Sequence, residues 1–354
     1  MLHGFGYENG SIYHSLEDSG HQWRLYSDLY NRYREPGEAM HGGWIPQVAA
    51  LKGISILDVH PLDSSRDSAT WADQFAADLR KDYPYAYTFI EPNCGRSFFD
   101  KQPPLKGPSY KAGSSQHPED DSYGGECLIK AVYEAIRHSP IWPSSLLVIV
   151  YDEHGGFYDH LPPPPAVQSG DSNVNKLKGL NGFDFGRYGV RVPAVIVSPL
   201  IAKGTVDKTV YDHTSILATL QKLLGLAPLT QRDRCANNLC HLLEKQILRD
   251  DADCPRTLNT PVGPITKNSE APTAEFDFAL PQSGNWLGFL KILLKVELEL
   301  SDGNESVRAE IIDAFKKIIT TSAAKKYIQQ MYEKIQRVLH EDRERPRSRA
   351  APRA

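Results

Sequence analysis

No stretch of the 354-residue chain reaches the roughly 18 consecutive apolar residues that a membrane-spanning helix requires. The longest apolar segment, NWLGFLKILLKVELEL (285–300), is broken by Lys291, Lys295, Glu297 and Glu299 and reads as an amphipathic helix made for packing. The opening MLHGFGYENGSIYHSLEDSG lacks the charged-then-apolar order of a secretory leader, and the localisation stays unknown. There is no basic excess: 40 Lys and Arg stand against 44 Asp and Glu, a net charge of −4, which argues against a general nucleic-acid binder. The five cysteines (Cys94, Cys127, Cys235, Cys240, Cys254) include no CxxC pair, so zinc-ribbon and thioredoxin-like readings fail. Cys235, Cys240 and Cys254 fall in one polar region, where a single local disulfide is compatible with the spacing. No internal repeat is visible.

What is present is a chain with 40% hydrophobic residues, long enough to bury a large core. Its first two-thirds alternates strand-like and helix-like segments. HQWRLYSD, ISILDV (54–59), YAYTFIE, SLLVIVY and VPAVIVSP (192–199) read as strands; 70–82, 124–139 and 214–226 carry helical spacing, the last closed by Gly225. Continuous apolar strands alternating with helices predict an α/β fold, a mostly parallel sheet with helices on both faces. The expected organisation is an α/β domain over 1–226, an irregular polar linker over 227–285, an amphipathic helical region over 286–342 and a disordered tail over 343–354.

In open parallel sheets, ligands bind beyond the carboxyl ends of the strands. LLVIVY runs directly into Asp152, Glu153 and His154, followed by Gly155 and Gly156, which permit a sharp turn and close approach. Adjacent carboxylates repel unless protonated or bridged by a cation, and their oxygens suit Mg²⁺, Ca²⁺ or Mn²⁺, with imidazole extending the choice to Zn²⁺ or Fe. The competing reading is a helix cap or a solvated loop. SQHPEDD adds His117, Asp120 and Asp121, and YDHTS adds Asp212 and His213, where Asp212 or Thr214 could equally be an N-cap. Glu91 ends another strand. The convergence of these groups points to a metal-assisted hydrolase.

YDEHGGFYDHLPPP, with GECLIKAVYEAIRHSPIWPSSLLVIV before it and YGVRVPAVIVSPLIAKGTV and YDHTSILATLQKLLGL after it, closely resembles the phosphoesterase family of non-specific phospholipases C and related acid phosphatases. QHPEDD is similar to that family's His-Pro-Asp loop. The resemblance covers about 5–226. It implies an alkaline-phosphatase-like α/β fold and cleavage of phosphate esters at a site centred on a divalent metal ion, with a Ser or Thr nucleophile. Residue by residue, it implies Asp152 and Glu153 as metal ligands and His117, His154 and His213 as catalytic groups at the phosphoryl moiety. Glu91, Asp120 and Asp212 are expected on the substrate side. The expected partner is a phospholipid or other phosphate ester, with possible membrane-surface contact and no nucleic acid.

The family's N-terminal Glu-Asn metal motif, of the form E-N-x-S-F-D, and its nucleophile segment find no match. Glu8-Asn9 lacks the motif's Phe-Asp and stands in the wrong place. The expectation is therefore an N-terminally incomplete phosphoesterase with a C-terminal helical extension. Its activity is expected to be phospholipase C-like hydrolysis of head-group phosphodiesters; the alternatives are an acid phosphatase-type phosphomonoesterase and a non-catalytic remnant or incomplete gene model.

Overall fold

The computed structural model describes residues 4–29, 46–64, 74–94, 113–118, 120–172, 184–243, 248–263, 277, 279–280, 285–301 and 303–344. Several sequence readings fall wholly or partly outside these residues: the first turn expected at 70–73, Glu119 of the HPEDD loop, most of the 260–278 loop and the tail from 345 onward.

Helix α1 (Ile12–Asp18) leads into β1 (Gln22–Asp28), which is the middle strand of a three-stranded parallel sheet. On one side lies β2 (Val59–Leu62) and on the other β3 (Tyr85–Glu91), with Leu25 opposite both Val59 and Phe89. Side chains of β1 alternate between two cores, as the period of two requires. Fully buried Tyr26 faces α2 (Phe75–Leu79) and α3 (Tyr123–Arg137), joining Phe75, Leu79, Leu128 and Val132. Fully buried Leu25 faces the other way, onto Ile12, Leu16 and Val59 and towards Leu217, Leu220 and Leu224 of α4 (Thr214–Leu224). The parallel sheet is thus covered by helices on both faces, as the alternating pattern predicts.

Two local features depart from the sequence reading. ISILDV is not a strand over 54–59: a 3-10 turn occupies Ile56–Asp58, and β2 begins only at Val59. The cause is a reciprocal cap, Leu57 N donating to Ser55 Oγ (3.2 Å) and Ser55 N to Asp58 Oδ2 (2.8 Å), which outcompetes the extended form. The strand β4 (Leu147–Val150) pairs with β5 (Ala194–Val197) antiparallel, in a two-stranded sheet separate from the parallel one. The described parts of the connection between them meet each other, with Ala166 N donating to Gly186 O (2.9 Å) and Tyr188 N to Pro164 O (3.0 Å).

A short helix α5 (Gln231–Cys235) lies within the segment expected to be an irregular linker. Beyond it, α6 (Asn285–Glu299), α7 (Glu305–Lys316) and α8 (Thr321–Glu344) form the C-terminal extension, α8 running through Glu344. Leu290, Leu293 and Val296 of α6 pack with Ala324, Ile328 and Met331 of α8 and with Ala49 and Ile56 of the α/β body. The apolar stripe of α6 is therefore consumed by packing. None of the described helices is long and apolar enough to cross a membrane. All five cysteines are free, and Cys254 is buried in the core beneath α3, so no disulfide links it to Cys235 or Cys240.

Candidate active site

Strand β4 delivers its carboxylates as the apolar run predicts. Tyr151 follows it, and Asp152 and Glu153 are exposed at its carboxyl end. The loop is internally braced: Glu153 N donates to Asp152 Oδ1 (3.0 Å) and Gly155 N to Glu153 Oε2 (2.8 Å). His154 Nδ1 lies 3.6 Å from Glu153 Oε2.

Three segments distant in sequence meet here. His213, at the start of α4, places Nε2 2.8 Å from the carbonyl oxygen of Tyr151. A carbonyl only accepts, so this contact puts the proton of a neutral imidazole on Nε2 and leaves Nδ1 as an acceptor. The Tyr151 hydroxyl donates to Gln116 Oε1, which draws the His117 loop to the same strand end. Pro118 then lies against Gly155, where a Cβ would approach Pro118 Cγ to 2.5 Å while φ is +65°. Only glycine meets both demands.

The remaining carboxylates expected on the substrate side have internal partners. Glu91, buried at the end of β3, accepts from Gln47 N and from Val48 N (3.0 Å), capping the 3-10 turn Gln47–Ala50. Burial pushes its carboxyl up to about 7, against the opposing pull of those two N–H groups. Asp120 Oδ2 accepts from Gly113 N (3.1 Å), and Asp120 N donates to His117 O (2.8 Å), closing the loop on itself. Asp212 Oδ1 accepts from Thr214 N (2.8 Å) and Thr214 Oγ1 (2.5 Å), while its buried Oδ2 takes no hydrogen bond among the described residues; Arg232 Nη1 stands 4.0 Å away.

Burial pushes the Cys94 thiol up to about 11, with the negative charge of Glu91 adding to the rise and the Gln47 side-chain hydrogen bond opposing it. A divalent cation would find hard oxygen donors at Asp152 Oδ2 and Glu153 Oε1, a partial set of the right chemistry. No group of three or more His, Cys, Asp or Glu side chains is arranged to hold a metal ion among the described residues.

Sequence reasoning passed over the residues that hold this arrangement together. Gln116 is a non-glycine residue at φ +57°, and its side chain lies so close to α3 that a Cβ on Gly125 would approach Gln116 Cγ to 2.2 Å. Its Nε2 donates to Ser122 O (3.1 Å). Gly124-Gly125 in the first turn of the amphipathic helix α3 was the available signal, since glycine in a helix is costly without a reason. Ser114 is buried and donates to Asp28 Oδ2 (2.6 Å), beside Ser64 Oγ on the same atom (2.6 Å), which gives it a structural role. Glu8 and Asn9 act elsewhere, Glu8 Oε2 accepting from Ser172 N (2.7 Å) and Asn9 Nδ2 donating to Leu229 O (2.7 Å).

Comparison with known proteins gives the arrangement a context. Residues 3–227 match the phosphoesterase family. The chain is 38% identical over 216 residues to non-specific phospholipase C6 of Arabidopsis thaliana, covering 57% of this chain and 39% of the relative. It is 41% identical over 175 residues to non-specific phospholipase C3 of the same plant (46% and 32%). A non-hemolytic phospholipase C of Burkholderia pseudomallei is 26% identical over 237 residues (61% and 32%). The chain thus spans about two-fifths or less of the length of these relatives.

Proposed function

Because the chain belongs to the phosphoesterase family, we propose that it hydrolyses phosphate esters, with phospholipid head-group phosphodiesters as substrate class, at the carboxyl end of β4. The observation that carries this reading is the meeting of 116–118, 151–155 and His213 at one strand end, within the matched region. The substrate class rests on the relatives, which bear the names of phospholipases C.

In this reading Asp152 and Glu153 hold a divalent cation together with donors not among the described groups. Such an ion, when bound, neutralises charge on the phosphoryl oxygens. The histidines do the proton work. His213 Nδ1, left as the acceptor by the Tyr151 contact, takes a proton from the attacking hydroxyl or water. His154 and His117 flank the same strand end and donate to phosphoryl oxygens or to the leaving group. Glu91 uses both oxygens to cap the Gln47–Ala50 turn, and Asp212 orients the start of α4; both support the substrate side from beneath. Asp120 keeps the His117 loop closed.

The test is hydrolysis of nitrophenyl phosphorylcholine by the purified chain with Mg²⁺, Ca²⁺, Mn²⁺ or Zn²⁺, with chelator, and in Asp152→Ala. Turnover that needs a cation and vanishes in the variant supports the proposal. A folded chain that binds no cation and turns over neither this diester nor nitrophenyl phosphate overturns it, and turnover of the monoester alone would move the substrate class to phosphomonoesters.

A further inference from the structure

The segment from Gln47 to Val59 threads two cores with alternate residues. Val48, Ile54 and Val59 enter the core shared by α1, β1 and α4, whereas Ala49 and Ile56 enter the core formed by α6 and α8. Its backbone is fastened from the C-terminal side by a buried cation. Lys295 of α6, 2% exposed, donates from Nζ to Ile54 O (2.8 Å) and pairs with Glu299 (2.8 Å). The N-terminal strap closes over the same point: Phe5 N donates to Ala50 O (2.7 Å) and Lys52 N to Phe5 O (2.8 Å). Gly4, at φ +81°, lies so close that a Cβ would approach Lys295 Cε to 2.7 Å and Ala50 O to 2.9 Å.

On its opposite side the same segment meets the strand end. Gln47 N and Val48 N hold the Glu91 carboxylate, and Gln47 Nε2 lies 3.5 Å from Cys94 Sγ. Two residues beyond Glu91, Asn93 N donates to Ser114 Oγ (2.9 Å) and Ser114 N to Asn93 O (2.8 Å), which ties the end of β3 to the loop that carries Gln116 and His117. A continuous series of packed and hydrogen-bonded groups therefore runs from α6 through Lys295 and the Gln47–Ala50 turn to Glu91, and by way of Asn93 and Ser114 to the loop that carries Gln116 and His117. Ordinary packing of an appended domain would not require a buried ammonium group, which is tolerated only when held by specific acceptors.

We infer that the C-terminal helices set the geometry of the candidate site through the Gln47–Ala50 turn, and that Glu91 is a positioning residue held by that turn. The catalytic consequence rests on the function proposed above; the mechanical coupling does not, because it is read at Cys94.

The experiment uses the full chain and two native thiols. Cys94 reports the turn, and Cys254, buried beneath α3 in a different core, reports global opening. N-ethylmaleimide labelling of each is followed by mass spectrometry in Lys295→Met, Glu91→Gln and the double variant, with Leu290→Ala as a milder loosening of α6. Lys295→Met is expected to raise the Cys94 rate about tenfold and leave Cys254 unchanged, as selective local opening requires. The double variant is expected to label no faster than the faster single variant, because both act through one turn. In preparations that turn over phosphodiester, kcat falls while KM holds. Unchanged Cys94 labelling in both Lys295→Met and Leu290→Ala overturns the inference, as does a parallel rise at Cys254, which would make the helices ordinary core. Multiplying effects in the double variant overturn it too. Absence of turnover in the unmutated chain counts against the proposed function and leaves the labelling result to decide the coupling.

Discussion

His213 Nε2 and the carbonyl oxygen of Tyr151 lie 2.8 Å apart, joining the first turn of α4 to the last residue before Asp152. The contact fixes the imidazole in orientation and in tautomer. It makes His213, an exposed side chain, a poor candidate for a stability role and a good one for proton transfer. His213→Ala is expected to lower kcat for a chromogenic phosphodiester by roughly 10²–10⁴-fold with little change in thermal midpoint. An unchanged kcat in steady-state assays would remove His213 from the proton-transfer role.

Gly155 combines a left-handed backbone with a contact that leaves no room for a Cβ against Pro118. Gly155→Ala should destabilise the fold by roughly 1–3 kcal/mol and push the His117 loop away from β4. Urea unfolding measures the first effect and a crystal structure of the variant the second. A variant as stable as the parent, with Pro118 in place, would contradict this account.

Gly125 offers a sharper test, because propensity and packing give opposite signs. In an exposed helix interior, Gly→Ala stabilises by roughly 0.5–1 kcal/mol. Here the added methyl would collide with the Gln116 side chain along its length, and Gln116 is held at both ends by Tyr151 and Ser122. Gly125→Ala is therefore expected to be neutral or destabilising and to reduce turnover by displacing Gln116 from Tyr151. A clear gain in melting temperature with full activity would show that the Gln116 contact carries no weight.

Glu91 makes stability depend on pH in a direction opposite to most carboxylates. Its folded-state value, about 7, lies above the ordinary 4.5. Between those values the unfolded chain gives up the proton more readily than the folded one, so stability is greatest below about pH 4.5 and declines as pH rises to about 7. The full effect is at most about 3 kcal/mol. Glu91→Gln should flatten this decline in urea midpoints taken from pH 4.5 to 8. Parallel curves for parent and variant would assign the decline to other groups.

Much of this architecture is legible in the sequence because it is written in periodicity. Leu128, Ala131, Val132, Ala135 and Ile136 are spaced for one helix face, and all are buried in α3. The run Leu147–Val150 ends at Asp152 where an apolar strand should end. Gly225 closes α4 at φ +70°, with Leu226 N donating to Gln221 O (2.9 Å). What escaped is encoded in pairs rather than periods. The Ser55–Asp58 cap turns an apparent strand into a 3-10 turn, although its S-x-x-D spacing was there to be read. The antiparallel pairing of β4 and β5 goes with bonds that join Pro164 and Ala166 to Tyr188 and Gly186, which no run of apolar residues specifies. Gln116 and Lys295 matter through partners far along the chain, Tyr151 and Ile54, and neither partner leaves a local mark.

The bond from Lys295 to Ile54 joins residues 241 positions apart. During synthesis at roughly 5–20 residues per second, about 12–48 s separate the appearance of one from the other. For that interval the parallel sheet can assemble with Ala49 and Ile56 facing outward, waiting for α6 and α8. The nascent chain therefore carries a sticky flank over residues 47–58 until α6 and α8 have emerged. Chaperone demand for this protein should accordingly track the translation of α6 to α8 more closely than that of its sheet.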